Sequence, residues 1–501
     1  MAITLDSALR FWSAEHPERV MVEYAGDGVT YAQFSAWVGR VASRFVALGL
    51  EPGGRVMIVA ESSLEWCVAA FAAVRAGGIC AGVSPRLTIS ELAYIRGDYK
   101  PGIVVFDEAG GAKLEPDARP HAGLAHVSAI AELREGEALD VHRRLDADAP
   151  AIIVTTSGST SRPKGVMFSH RSMIESNGWQ LLSEPLEGPY RRLIVAPMTT
   201  AGGIVCFTHA LISGGSAYIE SKLDGATLLG VVLGKRISMV TGAPIFWQRM
   251  AEQPEFESAD LSFLKIAHTG GAPVAQPLLE RWAAKGVLLR QMYGQTEVGG
   301  TATVNPRRFA LSHPDKCGGN GIFTEIAIID ADGKHLGPGE LGQIIVKGPG
   351  FMIGYWNNPE ASAKTLVDGW MHTGDIGFLD ELGLLKMVDR MKDIIISGGL
   401  NIAAAEVERV ISEIEGVLEV SVIAVADEKF GETPMAVVHA RREIAAAEII
   451  GHCNTHLSSY KVPRYLIFSK EPLPRLAAGK ISKPALREMY GGEENLPARV
   501  R

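Results

Sequence analysis

A short polar loop, TTSGSTSRPKG at Thr155–Gly165, combines the residue types that bind an oxygen-rich anion. It follows the apolar run AIIV, which indicates a turn after a strand. Gly158 permits close backbone approach, consecutive amides in such a turn form an anion nest, and Lys164 adds a mobile positive charge. A Walker loop needs Gly-Lys-Ser/Thr at the start of a helix, whereas Lys164 here precedes a glycine. The loop therefore indicates a phosphate site of another kind or, taken alone, an ordinary turn.

Further polar and charged groups occur in four later segments: HTGGAP (residues 268–273), YGQTE (293–297), WMHTGD (370–375) and AAGKIS (477–482). Taken singly, each has an ordinary structural explanation. Glu297 suits the first turn of a helix, where the helix dipole favours an acid. Asp375 suits a turn, Tyr293 suits an apolar core, and Lys480 suits a solvated loop. Only their joint occurrence favours a functional role.

Together and in this order, the motifs resemble those of the adenylate-forming superfamily, which includes acyl- and aryl-CoA ligases, adenylation domains and luciferases. The phosphate loop of that superfamily is matched by TSGSTSRPKG, its adenine-lining turn by HTGGAP, and its nucleotide and metal motif by YGQTE. Its long central signature is matched by GELGQIIVKGPGFMIGYWNNPEAS and its ribose-binding aspartate by the end of WMHTGD. Its hinge, the loop after the hinge and its terminal lysine motif are matched by DRMKD, SGGLNI and PRLAAGKISK. The resemblance is closest to the acyl- and aryl-CoA ligases and spans nearly the whole chain.

The resemblance implies that ATP and Mg²⁺ bind these motifs. The loop would hold the β- and γ-phosphates, Thr296 would bond the α-phosphate, and Glu297 would bind Mg²⁺, a hard cation that prefers carboxylate oxygen. Tyr293 would face adenine. Lys480 would stabilise the charge that develops between the acid's carboxylate and the α-phosphate, which makes Lys480, Thr296 and Glu297 the implied catalytic residues. The implied nucleotide, magnesium and coenzyme A set is Thr155, Thr156, Ser157, Gly158, Ser159, Thr160, Lys164, Gly270, Gly271, Ala272, Tyr293, Gly294, Glu297, Asp375, Arg390, Lys392, Gly398 and Gly399.

The resemblance also implies a moving C-terminal domain. Asp375 and Arg390 would bind the ribose, and the domain would turn about Lys392, two residues beyond the hinge arginine. One face, with Lys480, would close for adenylate formation, and another, with SGGLNI, would close for thioester formation. Two glycines in SGGLNI would leave room for the pantetheine arm of coenzyme A.

Three positions depart from the family pattern. Ser161 occupies a frequent glycine position, which would strain the loop if that position needs a positive φ. Thr199 and Thr200, in APMTTAGG, replace an aromatic-histidine pair that precedes the acyl pocket in many CoA ligases, so we expect a wider or more polar pocket mouth. Ala404 replaces a common proline, which affects loop stiffness more than chemistry.

The acid itself is expected to have an uncharged aromatic, alicyclic or fatty body. Small neutral residues dominate the segments that would surround it, and no acidic residue there could pair with an amine. No Arg or Lys is evidently placed to pair with a second carboxylate. Trp179 and Trp247 are expected in the core, and His268 and His372 are expected to be structural. The candidate pocket residues are Thr199, Thr200, Gly203, Gly299 and Gly300.

The elements that must position these residues follow from hydrophobic patterning. Short apolar runs (RVMIVA, GIVVF, AIIVTT, RLIVAP, ISMVTG, LKIAHTGG and VLLRQMYG) alternate with helical patterns such as PLLERWAAKG, which indicates βαβ units and mostly parallel sheets. Around residues 321–350 an Asp-Gly turn between strands indicates an antiparallel, barrel-like section. In the C-terminal part, Val407, Val410, Ile411 and Ile414 form one helix stripe, and VSVIAVAD and MAVVHA indicate strands. The predicted fold class is α/β, with a large N-terminal domain (residues 1–389), a hinge (390–393) and a small mobile α+β C-terminal domain (394–501).

Composition excludes several other classes of protein. The 501 residues carry a net charge of -8 with no basic block, which disfavours nucleic-acid binding. The five cysteines are far apart, as expected of a reduced cytoplasmic protein, and no secretory leader opens the chain. The most membrane-like segment, Trp66–Val83, contains Arg75 and two glycines, so we expect a buried helix running into a strand and no stable membrane insertion. A homodimer is one assembly that the sequence leaves open.

The sequence therefore predicts an ATP-dependent acid–thiol ligase that forms an acyl-adenylate and then an acyl-CoA. Two alternatives stay open: a stand-alone adenylating enzyme that loads a carrier-protein thiol or an amine, and a non-catalytic nucleotide-binding regulator. The chain ends soon after Lys480 without a carrier domain, which favours coenzyme A as the acceptor. Retention of Glu297, Asp375, Arg390 and Lys480 argues against the regulator.

Overall fold

The structure is a computed structural model that describes residues 3–114, 126–137, 139–156, 163–271, 274, 276–475, 481–492 and 496–500. The chain forms two compact units. Unit 1 contains the residues up to Glu325 together with Lys347–Trp370, and unit 2 contains Ile326–Val346 together with the residues from Met371 onward. The predicted boundary after residue 389 and the hinge at 390–393 stay predictions, because compactness alone does not show about which residue a domain turns.

Strands occur along the whole described chain. In order, they are β1 (Val20–Tyr24), β2 (Asp27–Thr30), β3 (Arg55–Val59), β4 (Ile79–Val83), β5 (Ile103–Phe106), β6 (Pro150–Thr156), β7 (Lys164–Ser169), β8 (Arg191–Ile194), β9 (Ser216–Ile219), β10 (Met239–Gly242), β11 (Ile266–Thr269), β12 (Leu289–Tyr293), β13 (Thr303–Val304), β14 (Glu325–Ile329), β15 (Gly342–Lys347), β16 (Gly354–Tyr355), β17 (Leu366–Val367), β18 (Trp370–Leu379), β19 (Leu385–Arg390), β20 (Ile394–Ser397), β21 (Leu400–Ala403), β22 (Val417–Asp427), β23 (Gly431–Ala440) and β24 (Tyr465–Ser469).

Helices alternate with these strands. In order, they are α1 (Leu5–Glu15), α2 (Tyr31–Ala47), α3 (Leu64–Arg75), α4 (Ile89–Tyr99), α5 (Glu108–Gly111), α6 (Val127–Ala131), α7 (His170–Ser183), α8 (Ala201–Ile212), α9 (Gly225–Gly234), α10 (Pro244–Ala251), α11 (Gln276–Ala284), α12 (Pro359–Thr365), α13 (Ala404–Ser412), α14 (Ala446–His456) and α15 (Lys483–Tyr490).

Unit 1 contains two mostly parallel sheets, as the alternation of apolar runs and helical patterns predicts. One has the described order β16-β7-β6-β4-β3-β5, in which β5, β3, β4 and β6 run parallel and β7 and β16 are antiparallel to their neighbours. The other has the described order β13-β12-β11-β10-β8-β9-β1-β2, parallel from β12 to β1 with an antiparallel strand at each edge. The seven apolar runs named in the sequence form β3, β5, β6, β8, β10, β11 and β12. The predicted α/β class is therefore confirmed.

The segment most like a membrane span is part of the core of unit 1. Every residue of helix α3 except Glu65 is buried, and the chain turns at Gly77, with φ of 77°, before β4 begins. Its N-cap is Ser63, whose hydroxyl accepts from the Trp66 amide at 3.1 Å. The prediction of a buried helix followed by a strand is confirmed. Among the described helices, none has both the length and the apolar character that crossing a bilayer requires.

Unit 2 begins with an antiparallel sheet in which β14 lies beside β15, β15 pairs with β18, and β18 pairs with β19. The predicted Asp-Gly turn follows β14. A second sheet has the described order β21-β20-β23-β22, with β24 parallel to β23. Helix α13 buries its predicted stripe in the core of this sheet, because Val407, Val410 and Ile411 are 0% exposed. The small α+β C-terminal domain is therefore confirmed.

A buried histidine connects the first helix to the core of unit 1. His170 begins α7 and is 3% exposed. Its Nδ1 accepts a hydrogen bond from the Leu5 backbone amide of α1 at 3.4 Å, so that nitrogen carries no proton. Burial lowers the pKa of His170 to about 4, although Asp6 and Asp146 oppose the shift.

We predict that acid destabilises unit 1 partly through His170. Its folded pKa of about 4 lies below the unfolded value of about 6.5, so between these values the unfolded chain binds one more proton. The neutral ring contributes its full share to the free energy of unfolding above the unfolded pKa. As the pH falls from the unfolded pKa to the folded pKa, this contribution is lost by up to about 1.4 kcal/mol per pH unit. His170→Gln keeps an acceptor that does not titrate, so its melting temperature should fall less steeply on acidification when measured by calorimetry. His142→Gln, at a side chain that is 83% exposed, is the matched control, and equal slopes in all three proteins would contradict the prediction.

Candidate active site

The predicted phosphate loop joins two antiparallel strands of unit 1. Strand β6 ends at Thr156 and β7 begins at Lys164, and these two residues are paired. Residues 157–162 lie outside the described residues. The predicted ligands Ser157, Gly158, Ser159 and Thr160, and the departure at Ser161, therefore stay predictions.

The two threonines at the start of the loop bond to neighbouring strands. Thr155 Oγ1 donates to the Gly82 carbonyl oxygen at 3.3 Å and lies 3.0 Å from Tyr99 Oη. Thr156 Oγ1 donates to the Lys164 carbonyl oxygen at 3.3 Å. Both hydroxyls therefore stabilise the ends of the hairpin from which the loop extends.

Glu297 lies beside the same hairpin. It belongs to the 3₁₀ turn Thr296–Val298, which follows β12, and its carboxylate Oε1 accepts a hydrogen bond from Tyr355 Oη at 2.8 Å. Tyr355 is in β16, which pairs with β7, and its ring centroid lies 4.9 Å from Lys164 Nζ. Burial, and then the neighbouring Glu297 carboxylate, raise the pKa of Tyr355, so the phenol keeps the proton that it donates. One tyrosine thus contacts both the cation at the loop end and the predicted metal ligand.

Tyr355 was not among the predicted site residues. It lies within the quoted central signature, in the letters GYW, but that match gave no partner for it. The contact depends on pairing between β16 and β7, strands that are distant in sequence, and local patterning does not show such pairing.

The donor set at Glu297 fits a magnesium ion. Within the part of the chain that the structure describes, no group of three or more His, Cys, Asp or Glu side chains could hold a metal. A single oriented carboxylate suits a cation that takes its remaining ligands from phosphate and water, as Mg²⁺ usually does.

The predicted adenine-lining residues lie at the ends of β11 and β12, which are parallel neighbours. Gly270 and Gly271 follow β11, and Tyr293 ends β12 with 6% of its surface exposed. Gly294 packs against the predicted pocket residue Gly300, because a Cβ at Gly294 would lie 2.1 Å from the Gly300 carbonyl oxygen. Ala272 lies outside the described residues.

The candidate acyl-pocket residues also begin a helix. Thr200 is the N-cap of α8, where its Oγ1 accepts from the Gly203 amide at 3.3 Å and donates to the Pro197 carbonyl oxygen at 2.7 Å. A Cβ at Gly203 would lie 2.2 Å from that same carbonyl oxygen, so only glycine fits there. Thr199 is buried, with 7% exposed, and Gly299, with φ of 70°, ends the 3₁₀ turn that holds Glu297. Trp179 and Trp247 are buried, and Trp247 lies in a core cluster as expected.

In unit 2 the structure brings the predicted ribose-binding residues together. Asp375 in β18 and Arg390 in β19 are directly opposite each other, and Arg390 Nε lies 3.4 Å from Asp375 Oδ1. Asp375 is buried, so a neighbouring guanidinium compensates its charge. Lys392 is in the following 3₁₀ turn, Met391–Asp393, and Asp393 accepts from Arg487 Nη2 of α15 at 2.7 Å.

The predicted coenzyme A loop is a tight turn between β20 and β21. Gly398 and Gly399 have φ of 58° and 79°, and a Cβ at Gly398 would lie 2.9 Å from the Phe430 ring. Ala404 is the first residue of α13, where a proline is also favoured because that amide has no partner within the helix. Lys480 lies outside the described residues, and the described residues on either side, Arg475 and Ile481, form an antiparallel bridge.

Comparison with known proteins matches both parts of the chain to family models. Residues 9–356 match the model described as AMP-binding enzyme, and residues 406–480 match AMP-binding enzyme C-terminal domain. A feruloyl-CoA synthase of an Amycolatopsis species is 34% identical over 492 residues, covering 95% of this chain and 96% of its own. The long-chain-fatty-acid–CoA ligase FadD13 of Mycobacterium tuberculosis is 32% identical over 470 residues, covering 92% and 93%.

A solved structure also matches nearly the full length. The o-succinylbenzoate CoA synthetase (MenE) of Bacillus subtilis, in complex with its acyl-adenylate intermediate, has a TM-score of 0.87 at 27% identity, covering 97% of this chain and 99% of its own. The same synthetase in complex with ATP and a magnesium ion has a TM-score of 0.86 at 26% identity, covering 96% and 99%.

We predict that Tyr355→Phe weakens magnesium binding at Glu297. Removing the phenol oxygen leaves the carboxylate without its 2.8 Å donor, and loss of such an orienting partner typically lowers metal affinity about tenfold or more. The magnesium concentration for half-maximal pyrophosphate release should rise by that factor. Tyr460→Phe, at an exposed tyrosine in unit 2, should leave it unchanged. A lower maximal rate with the same magnesium dependence would contradict this role.

Proposed function

The chain belongs to the adenylate-forming superfamily as an enzyme of the AMP-forming acid–CoA ligase family, and from this premise we propose that it couples a carboxylic acid to coenzyme A in two steps. In the first, a carboxylate oxygen attacks the α-phosphorus of ATP and pyrophosphate leaves. In the second, the thiolate of coenzyme A attacks the acyl carbon and AMP leaves. The observation that carries the proposal is the contact of Tyr355 with both Lys164 and Glu297 at the end of the predicted phosphate loop.

The residues of unit 1 have distinct roles in this proposal. The loop from Thr155 to Lys164 binds the β- and γ-phosphates, and Thr296 bonds the α-phosphate. Glu297 holds a magnesium ion, which supplies charge neutralisation for the phosphate oxygens when bound. Tyr355 orients the Glu297 carboxylate, because its hydroxyl is within hydrogen-bonding distance and stays protonated. Tyr293 and the backbone after β11 contact adenine.

The residues of unit 2 are assigned the ribose, hinge and coenzyme A roles in this proposal. Asp375 accepts from the ribose hydroxyls, and Arg390 orients that carboxylate, as their separation of 3.4 Å supports. Lys480 stabilises the charge between the carboxylate and the α-phosphate. Lys392 is the pivot about which residues 394–501 turn, and Gly398 and Gly399 then admit the pantetheine arm.

Coenzyme A is the proposed acceptor. Relatives that match along nearly the full length are named as CoA ligases, which supports this choice over a carrier-protein thiol or an amine. Those relatives are named as a feruloyl-CoA synthase and a long-chain-fatty-acid–CoA ligase, and an aromatic, alicyclic or fatty body is the corresponding expectation here. We propose a cytoplasmic location, supported by five buried thiols that form no disulfide. A homodimer stays a prediction.

The test is pyrophosphate release across a panel of acids, with and without coenzyme A. We expect ATP- and magnesium-dependent release whose sustained turnover requires coenzyme A, with acyl-CoA and AMP formed in equal amounts. Pyrophosphate release at the same rate with and without coenzyme A would support an enzyme that loads a carrier-protein thiol or an amine. No release with any acid would contradict the ligase function.

We predict that Lys480→Ala separates the two half-reactions. Because a preorganised charge stabilises the transition state of adenylation, its loss should slow that step by about 10²–10³-fold or more. Thioester formation from preformed acyl-adenylate should be largely retained, since the other face of the C-terminal domain carries it out. Lys470→Ala, at an exposed lysine, is the matched control. Equal loss of both half-reactions would contradict this division of roles.

A further inference from the structure

A row of polar side chains crosses the larger sheet of unit 1. It consists of Arg192 on β8, Thr241 on β10, His268 on β11 and Arg290 on β12, and we call it the polar row. Thr241, His268 and Arg290 are register partners on parallel strands, whereas Arg192 pairs with Met239, two residues before Thr241. Because side chains alternate along a strand, all four project from the same face of the sheet. The alternate positions project from the other face and form an apolar core there: Leu193, Val240, Ala267 and Leu289.

One end of the polar row is electrically balanced. Arg290 forms an ion pair with Glu184, at the C-terminus of α7, and His268 Nε2 lies 2.9 Å from the same carboxylate. Burial, then Arg192 and Arg307, lower the pKa of His268 to about 3, so the ring is neutral at pH 7. The guanidinium and the carboxylate therefore cancel each other's charge.

Arg192 is not balanced in this way. It is 3% exposed, and its one hydrogen bond among the described residues runs from Nη2 to Thr241 Oγ1 at 3.2 Å. Its Nε and Nη1 are buried without a partner, and no carboxylate of the described chain forms an ion pair with it. The nearby His209 ring cannot supply a negative charge, and burial and then Arg192 lower the pKa of His209. A buried cation without a counter-ion is strongly unfavourable, so an anion that enters from outside the chain would stabilise Arg192.

The polar row leads to the predicted reaction site. His268 precedes Gly270 by two residues, about 7 Å along a strand, and Arg290 precedes Tyr293 by three, about 10 Å. Thr241 is partly exposed and lies one residue before the carboxyl end of β10, whereas Arg192 is buried deeper, level with Met239. Ligands of parallel α/β sheets bind at the carboxyl ends of the strands. An acid whose carboxylate reacts there would extend its far end toward Thr241 and Arg192.

We propose that the acid activated by this enzyme is a dicarboxylate, and that Arg192, with Thr241, binds the carboxylate that is not activated. The proposal rests on the ligase function proposed above and specifies its substrate class. A carboxylate matches the two-pronged geometry of a guanidinium and supplies the negative charge that Arg192 lacks. The product is then a monothioester, since Arg192 holds the second carboxylate away from the phosphates.

This substrate class differs from the uncharged acyl body expected from the sequence. In the sequence alone no Arg or Lys is evidently placed for a second carboxylate, because the letters RLIVAP show Arg192 only as part of an apolar strand. The register of β8 with β10 directs Arg192 to the same face as His268, and only the paired sheet reveals this.

The test compares dicarboxylic acids with their own monomethyl esters, which keep the length but lose the second charge. We expect kcat/KM for pyrophosphate release by the wild type to favour the free diacid about tenfold or more, the size of a charge-assisted bond. Arg192→Met removes the charge and keeps an unbranched side chain. It should abolish this preference by lowering kcat/KM for the diacid while leaving that for the ester unchanged or raised.

Arg191→Met is the matched control on the same strand. Arg191 is exposed and donates from Nη1 to the Lys235 carbonyl oxygen at 2.9 Å, so its loss should leave the diacid preference intact. Replacing an unpaired buried charge should not lower the melting temperature of Arg192→Met. If Arg192→Met does not fold, the wild-type ratio of kcat/KM for the diacid to that for its ester still tests the proposal.

The outcomes separate the two proposals. One outcome is that the wild type has equal kcat/KM for diacids and their monomethyl esters, and that Arg192→Met has the same ratio of the two values. That outcome would overturn the dicarboxylate proposal and leave the ligase function standing. No pyrophosphate release with any acid of either series would overturn the ligase function and this inference with it.

Discussion

Activation of an acid by ATP brings a carboxylate against a triphosphate, and these two anions repel each other at the distance where a bond forms. The roles proposed for the charged groups near the phosphates reduce this repulsion. Lys164 lies at the end of the hairpin that carries the predicted phosphate loop, and Glu297, the proposed magnesium ligand, accepts a hydrogen bond from Tyr355 beside the same hairpin. Arg192 extends the same principle to the far end of the acid, where a second negative charge would meet a buried guanidinium.

The fold supplies these groups at strand ends, where side chains can reach a ligand without interrupting a core. The hairpin of β6 and β7 presents the loop, β11 and β12 end at the predicted adenine-binding residues, and β16 places Tyr355 against Glu297. In unit 2, β18 and β19 place Asp375 opposite Arg390. Each of these placements is fixed by backbone pairing, which explains why residues far apart in sequence can be held within hydrogen-bonding distance.

Much of the fold follows from local pattern, and the site does so only in part. The seven apolar runs form strands and the Val407 stripe is buried, because burial on one face imposes a period that a sequence displays directly. The contact of Tyr355 with Glu297 and the proposed role of Arg192 do not show in the sequence, because both depend on which strands pair and in which register. The sequence alone does not show on which face of the sheet Arg192 lies. It is therefore consistent with the expectation of an uncharged acid.

The central claim is that an oxygen of the acid becomes bonded to the α-phosphorus of ATP, and isotope transfer tests it most directly. An acid labelled with ¹⁸O in its carboxylate groups would be turned over with ATP, magnesium and coenzyme A, and the products would be analysed by mass spectrometry. Attack at the α-phosphorus predicts one ¹⁸O atom in each AMP, with pyrophosphate unlabelled. Label in inorganic phosphate, or AMP without label, would contradict the account.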